Sequence, residues 1–365
     1  MACGDAPDIQ GGHFKRREVL IYNANVKVLD IHGHVSAPGG NGAQLLGQML
    51  ASNTPTRLDP HNDLPNFNMN EQTWANSVKR HTDLLDDHNI DSQLIGPRPF
   101  LMLGWMQQHL LPGWTRFVND MIHKQCLVRP DRFLGACQLP QNPGAEDASN
   151  CVPEIERCVK ELGFKGIYIS PDPAGDRSSP GVDTKYWDPI YAKAVEYNIP
   201  IIIHGTNCTD PRLAPIPQNY QVGFLWEQFL ATQLYMHGDA FERFPTLKVL
   251  VCHCGGALDR FIKSDHHLGQ KDYSKNLFFD TNALDLDYLE AAIKQRTPQQ
   301  TAFGTETPGS GGAIRPETGR PGDDLVPHIG AMSFLSESDK ELIFQKNSAY
   351  LCPDLDKLPG RAGVN

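Results

Sequence analysis

The chain has 365 residues, of which 40% are apolar, so it can build one large core or two ordinary ones without disulfide staples. Lys and Arg number 33 against 43 Asp and Glu, a formal charge of −10, and no basic cluster stands out, which excludes nucleic acid and anionic membrane surfaces as partners. No apolar run approaches the roughly 18 residues of a membrane span, and the N-terminal stretch lacks the apolar core of a signal peptide.

Short, apolar, β-rich runs recur in order at residues 26–34, 91–97, 133–140, 166–170, 199–205, 247–253, 277–282 and 301–306. Runs this short and this continuously apolar suit strands buried on both faces of a parallel sheet. Between them lie amphipathic helical stretches. Residues 73–90 read as one helix. Residues 154–162 carry Ile155, Cys158, Val159 and Leu162 on one stripe, and residues 186–197 carry Ile190, Ala194 and Val195. Eight alternations of strand and helix predict an α/β fold, a closed (β/α)8 TIM barrel, with a doubly wound sheet as the alternative. Residues 1–25 read as an N-terminal extension, and 26–365 as a single domain with an insertion at about 36–75. The part from Asn53 to Asn70 reads as a lid or an interface. Polar loops at 207–223 and 307–324 belong on the catalytic face of such a barrel. Nine cysteines, odd in number and without C-x-x-C pairs, indicate a reduced, cytosolic protein.

The chemistry gathers at strand ends. In Asp30-Ile31-His32-Gly33-His34 the two histidines are two residues apart, so both imidazoles can share a strand face and bind one metal ion. Alone, the pair reads equally well as two polar residues in a turn. His204 ends the fifth run, His253 the sixth and Glu306 the eighth, so three histidine-bearing ends and a carboxylate converge on one mouth. Nitrogen and oxygen donors together suit zinc, with manganese and iron as alternatives.

These motifs resemble the amidohydrolase superfamily. The likeness is to the branch of aminocarboxymuconate semialdehyde decarboxylase, 4-oxalomesaconate hydratase and a meta-cleavage carbon–carbon hydrolase. It rests on the H-x-H and the later histidines, and on IGPRP at 95–99, QLPQNPG at 138–144 and SPDPAG at 170–175. It continues through YWDPIYAKAVEYNIPIIIH, FPTLKVLVCHCGG, NLFFDT and FGTETPGSG. The resemblance implies His32, His34, His204 and Glu306 as metal ligands, and catalysis by His253, as proton carrier, together with Glu306. His253 as a further ligand of a two-metal site is the alternative. It also implies a cationic anchor for a carboxylate substrate. Arg98 stands at the family's S/G-P-R position, and Arg260, placed on the helix after strand six, is the second candidate.

Glu306 replaces the superfamily's usual Asp, as in the hydratases and the carbon–carbon hydrolase. The expected activity is therefore hydration or hydrolytic carbon–carbon cleavage of a small carboxylated oxo-acid. A decarboxylase on the same site is an alternative, as are a di-metal iron or manganese oxygenase subunit in a hetero-oligomer and a non-catalytic subunit. A homodimer or larger assembly is implied. Asp280 is expected to be structural, Cys252 and Cys254 not to ligate, and His266 and His267 to be exposed. The segment at 207–223 does not match the hydratase pattern, and Cys254 stands where relatives carry Gly; both bear on specificity.

Overall fold

A computed structural model describes residues 26–36, 71–206, 208–216, 219–261 and 271–361. The N-terminal extension and most of the insertion, including 53–70, lie outside these residues, as do His266 and His267. Seven parallel strands follow the sequence: β1 (Leu29–His34), β2 (Ser92–Gly96), β3 (Phe133–Gly135), β4 (Ile167–Ile169), β5 (Ile201–Ile203), β6 (Val249–Val251) and β7 (Leu277–Phe279). They pair in the orders β1-β2-β3 and β4-β5-β6-β7.

Hydrogen bonds join the two sheets at both seams. Between β3 and β4, Lys165 N donates to Gly135 O at 2.7 Å and Tyr168 N to Cys137 O at 2.9 Å. At the other seam lies the eighth run, where Thr301 bridges Phe279. Ala302 N donates to Phe279 O at 2.8 Å, Ile31 N to Phe303 O at 2.9 Å and Glu306 N to His32 O at 2.7 Å. The sheet thus closes into a (β/α)8 barrel. The eighth run is not a regular strand because its backbone turns away: Glu306 has φ 65. Gly304 passes so close to β1 and β7 that a Cβ there would stand 2.9 Å from those of His32 and Asp280.

Strand residues divide between two apolar clusters, as burial on both faces requires. Leu29, Ile31, Leu94, Ala136, Tyr168, Ile202, Leu250 and Phe278 fill the barrel. Ile95, Ile167, Ile169, Ile201, Ile203, Val249 and Val251 face outward against the helices. Those helices include α1 (Glu71–Asp87), α2 (Leu111–Val128), α3 (Val152–Lys160), α4 (Asp188–Tyr197), α5 (Asn219–His237), α6 (Ala240–Arg243) and α7 (Leu286–Arg296). The helix expected to reach 90 stops at Asp87. Asn89 adopts φ 61 and Ile90 N caps Leu85 O at 2.8 Å, a left-handed C-terminal cap. The loop expected over 207–223 is shorter than its polar composition suggested, because α5 begins at Asn219.

The last residues close the barrel floor. Ser92 Oγ donates to Leu355 O at 3.1 Å, Lys248 Nζ to Tyr350 O at 2.9 Å and Ser348 Oγ to Leu29 O at 3.0 Å. Leu351, Cys352 and Leu355 join the inner cluster there. Only the opposite end, at the C-terminal ends of the strands, is left for a site. Among the described residues no helix is long and apolar enough to cross a membrane.

Candidate metal centre

A one-residue irregularity in β1 aims the H-x-H pair. Asp30 pairs with Gln93 and Gly33 with Ile95, so three steps on β1 match two on β2. Without that bulge His32 and His34 would share the outward face of Asp30, whose carboxylate meets Gln93 Nε2 at 2.8 Å. With it, both imidazoles turn inward, His32 towards His204 and His34 beside Tyr168, and Gly33 takes the outward position against the Gln93 side chain. Asp30 fastens the bulge to the eighth run: it accepts from His32 N at 3.0 Å, Thr305 N at 3.2 Å and Thr305 Oγ1 at 2.6 Å. Burial still pushes its carboxyl up to about 7 against those bonds.

The rings of His32, His34 and His204 stand 5.1 to 5.2 Å apart, and the donor atoms of the three with Glu306 all lie within 4.8 Å of one another. Each imidazole has one nitrogen committed. Nδ1 faces Asp280 Oδ2 at 2.6 Å in His32, Pro97 O at 2.8 Å in His34 and Gly205 O at 2.7 Å in His204. A carbonyl oxygen only accepts, and an ionised carboxylate likewise, so Nδ1 carries the proton and Nε2 a lone pair. All three Nε2 atoms are buried with no hydrogen-bond partner. Unpartnered buried nitrogens are costly unless a ligand takes them, and their lone pairs beside a carboxylate fit a divalent ion. Burial pushes His34 and His204 down to about 4 and lowers His32, which keeps the donors neutral. Burial would raise Glu306, but the imidazoles of His204, His253 and His34 around it hold it well below its usual range.

Glu306 Oε2 accepts from Ser310 Oγ at 2.9 Å and Asn282 Nδ2 at 3.3 Å, leaving Oε1 towards the histidines. His253 stands outside the four-residue group. Its Nε2 is 3.4 Å from Glu306 Oε1, and its side chain is 13% exposed where those of His32 and His204 are fully buried. Gln228, wholly buried on α5, holds the ring through its amide, 2.9 Å from His253 Nδ1. His253 and Cys254 adopt φ 53 and 56, a tight turn that swings the ring to the mouth. Burial would lower the His253 pKa; the nearby charges of Glu306 and Asp280 raise it instead.

Arg98 follows β2 and donates from Nε to Val35 O at 3.0 Å, near enough to Glu306 to feel its charge. Arg260 lies on an exposed coil after β6 rather than on a helix, its guanidinium 5.2 Å over the Phe261 ring. Asp280, expected to be structural, touches the donor set directly through His32 and also accepts from Cys254 N at 2.8 Å. Its place at the end of the seventh run was the available signal; Gln228 and the bulge gave none. Cys252 lies within 4.8 Å of donor atoms of His32 and Asp280, a second and smaller grouping. Removing the Asp280 charge leaves His32 without the group that fixes its tautomer. Asp280→Asn should therefore weaken metal binding by about 10- to 100-fold, read by competition with a chelator, and unchanged affinity would rule this out.

A family model described as amidohydrolase matches residues 29–351. Among curated proteins, 2-keto-4-carboxy-3-hexenedioate hydratase of Sphingobium sp. (strain NBRC 103272 / SYK-6) is 29% identical over 346 residues, covering 92% of this chain and 98% of that protein. The crystal structure of 4-oxalomesaconate hydratase from Rhodopseudomonas palustris superposes with a TM-score of 0.75 at 27% identity, over 90% of this chain and 97% of that one. A dihydroxybenzoic acid decarboxylase from Polaromonas sp. JS666, solved with bound manganese, shares the fold at a TM-score of 0.60 and 19% identity, over 93% and 98% of the two chains. With a barrel whose mouth holds three histidines and a glutamate, and a family match running from the first strand to the floor, the chain belongs to the amidohydrolase family.

Proposed function

We propose that the chain is a metal-dependent lyase or hydrolase of this family that hydrates a small carboxylated oxo-acid or cleaves its carbon–carbon bond with water. The observation that carries this reading is the set of three buried imidazole Nε2 atoms, all without partners, meeting the Glu306 carboxylate. The hydratase likeness over nearly the whole of both chains supports the substrate class.

His32, His34, His204 and Glu306 would hold a divalent ion, with zinc the ion that this reading favours. Such an ion supplies Lewis acidity and lowers the pKa of water towards neutrality. His253, partly open to the mouth and oriented by Gln228, takes and returns the proton. Its Nε2 stands 3.4 Å from Glu306 Oε1, so proton acceptor and ligand face the same small volume. Arg98 grips a substrate carboxylate through its two terminal nitrogens, which make no hydrogen bond among the described residues. Phe224, with its ring 5.4 Å from that of His204, covers one side of the group and limits water.

A cytosolic setting fits the described cysteines, none of which forms a disulfide. A homodimer or larger assembly fits the apolar stripe that α5 exposes at Val222, Leu225, Trp226 and Leu230. The test is product analysis on a panel of unsaturated oxo-acids carrying one, two or three carboxylates with metal-loaded protein. A gain of one water marks a hydratase, and two fragments mark a carbon–carbon hydrolase. Carbon dioxide release moves the assignment to a decarboxylase on the same site, and no turnover across the panel refutes the substrate class.

A further inference from the structure

The metal centre has two unlike ends. His34 and His253 each pack on the His32–His204 pair, with rings 5.0 to 5.4 Å from both members, but His34 belongs to the four-donor group and His253 stands outside it. Arg98 lies on the His34 side: it follows Pro97, whose carbonyl holds His34 Nδ1 at 2.8 Å, and its Nε donates to Val35 O at 3.0 Å. On the His253 side opens a cavity of about 360 Å³, walled by Phe224, Leu225, Leu284 and Tyr288 beside His253. None of the described residues lining it is Lys or Arg, and Asp285 at the start of α7 stands in its wall.

A carboxylate pushed into that cavity would shed water against hydrocarbon and ring faces and meet Asp285; of the polar lining groups Asn282 and Ser310 are already bonded to Glu306, Gln221 is uncharged, and among the described lining residues His253, at the metal end, is the one group that can carry a positive charge. Charge buried without a partner is strongly disfavoured, whereas an apolar group gains by leaving water. The volume suits a ring or a short branched chain rather than a single methyl.

We propose, resting on the functional reading above, that this cavity receives an uncharged, carbon-rich end of the substrate. The enzyme then prefers an oxo-acid with one anionic end, at Arg98, and one apolar end, beyond His253, over an acid with carboxylates at both ends. Leu284 in the loop just before α7 and Tyr288 on that helix, with Phe224 and Leu225 from α5, set that preference.

A matched pair of probes tests it by calorimetric titration of the metal-loaded wild-type protein. In 2-oxoadipate and 2-oxo-5-phenylpentanoate the oxo-acid end and the linker are the same, and only the far group differs. Binding of the phenyl compound at least about tenfold more tightly is expected from burial of one ring. Equal binding, tighter binding of the dicarboxylate, or no binding of either overturns the inference. Leu284→Arg, which puts a cation into the wall, should reverse the order of the two probes; an unchanged order counts against it. Arg98→Gln reports on the anchor alone. If it weakens neither probe while the phenyl preference stays, the carboxylate clamp is wrong and the apolar cavity stands.

Discussion

His204→Ala protein, purified without added metal, is expected to contain none, whereas the wild type carries about one divalent ion per chain, as a single three-histidine, one-carboxylate site implies. The effect should be close to all-or-none. His204 is fully buried, its Nδ1 is tied to the chain at Gly205 O, and the neighbouring imidazole of His253, 5.0 Å away ring to ring, is held by Gln228 outside the four mutually close donors. Loss of the imidazole also strips Glu306 of one of the neighbours that keep it ionised in a buried place. The paired substitution His32→Ala/Glu306→Ala should behave the same way, since it removes a side chain of the group from each side of the seam, where Glu306 N meets His32 O. Elemental analysis by mass spectrometry reads the ion and its identity together. Full metal retention in either variant would refute the ligand set. About two iron or manganese ions in the wild type would instead point to the di-metal alternative and a partner subunit.

His253→Gln should leave the metal in place and lower kcat by about 10²- to 10⁴-fold, the range for loss of a positioned acid–base group. The two effects separate because His253 lies outside the four mutually close donors yet only 3.4 Å from Glu306 Oε1. Glutamine keeps the bulk near the cavity mouth but cannot carry a proton between substrate and water at neutral pH. KM should move much less than kcat, because the carboxylate grip at Arg98 is on the other side of the centre. A variant that loses its metal would show His253 to be a ligand, and one within tenfold of the wild type would remove it from the mechanism.

The barrel, and the gathering of His32, His34, His204 and Glu306 at one mouth, were legible because both are written in local patterns. Apolar runs of strand length announce a sheet buried on two faces, and strand ends are where a (β/α)8 barrel gathers its chemistry. What stayed hidden depends on contacts between distant segments. The H-x-H spacing predicts that His32 and His34 share a face, but which face depends on the bulge against β2, a property of the pairing rather than of β1. Gln228 lies in the middle of a helix and looks like any polar residue there; only the approach of α5 to the turn at His253 gives it a partner. The expected eighth strand shows the reverse case. Its composition is that of a strand, but Gly304 and the positive φ of Glu306 bend it so that the carboxylate reaches the centre. Arg260 illustrates a third limit, since a helix assigned from resemblance proved to be exposed coil.

The floor contacts carry a consequence for how the molecule is made. β1 is synthesised first, yet its lower end is sealed by Ser348 and its inner edge is zipped to Phe303 and Glu306. A nascent chain still on the ribosome can pair β1 with β2 and β3, but its interior remains open to water at the bottom and along one side. Such long-range closure is slow compared with local helix formation. The protein therefore becomes an enzyme only after its last turns are released, and a chain cut short before Ser348 should be cleared as an unfinished barrel rather than persist as a weaker catalyst.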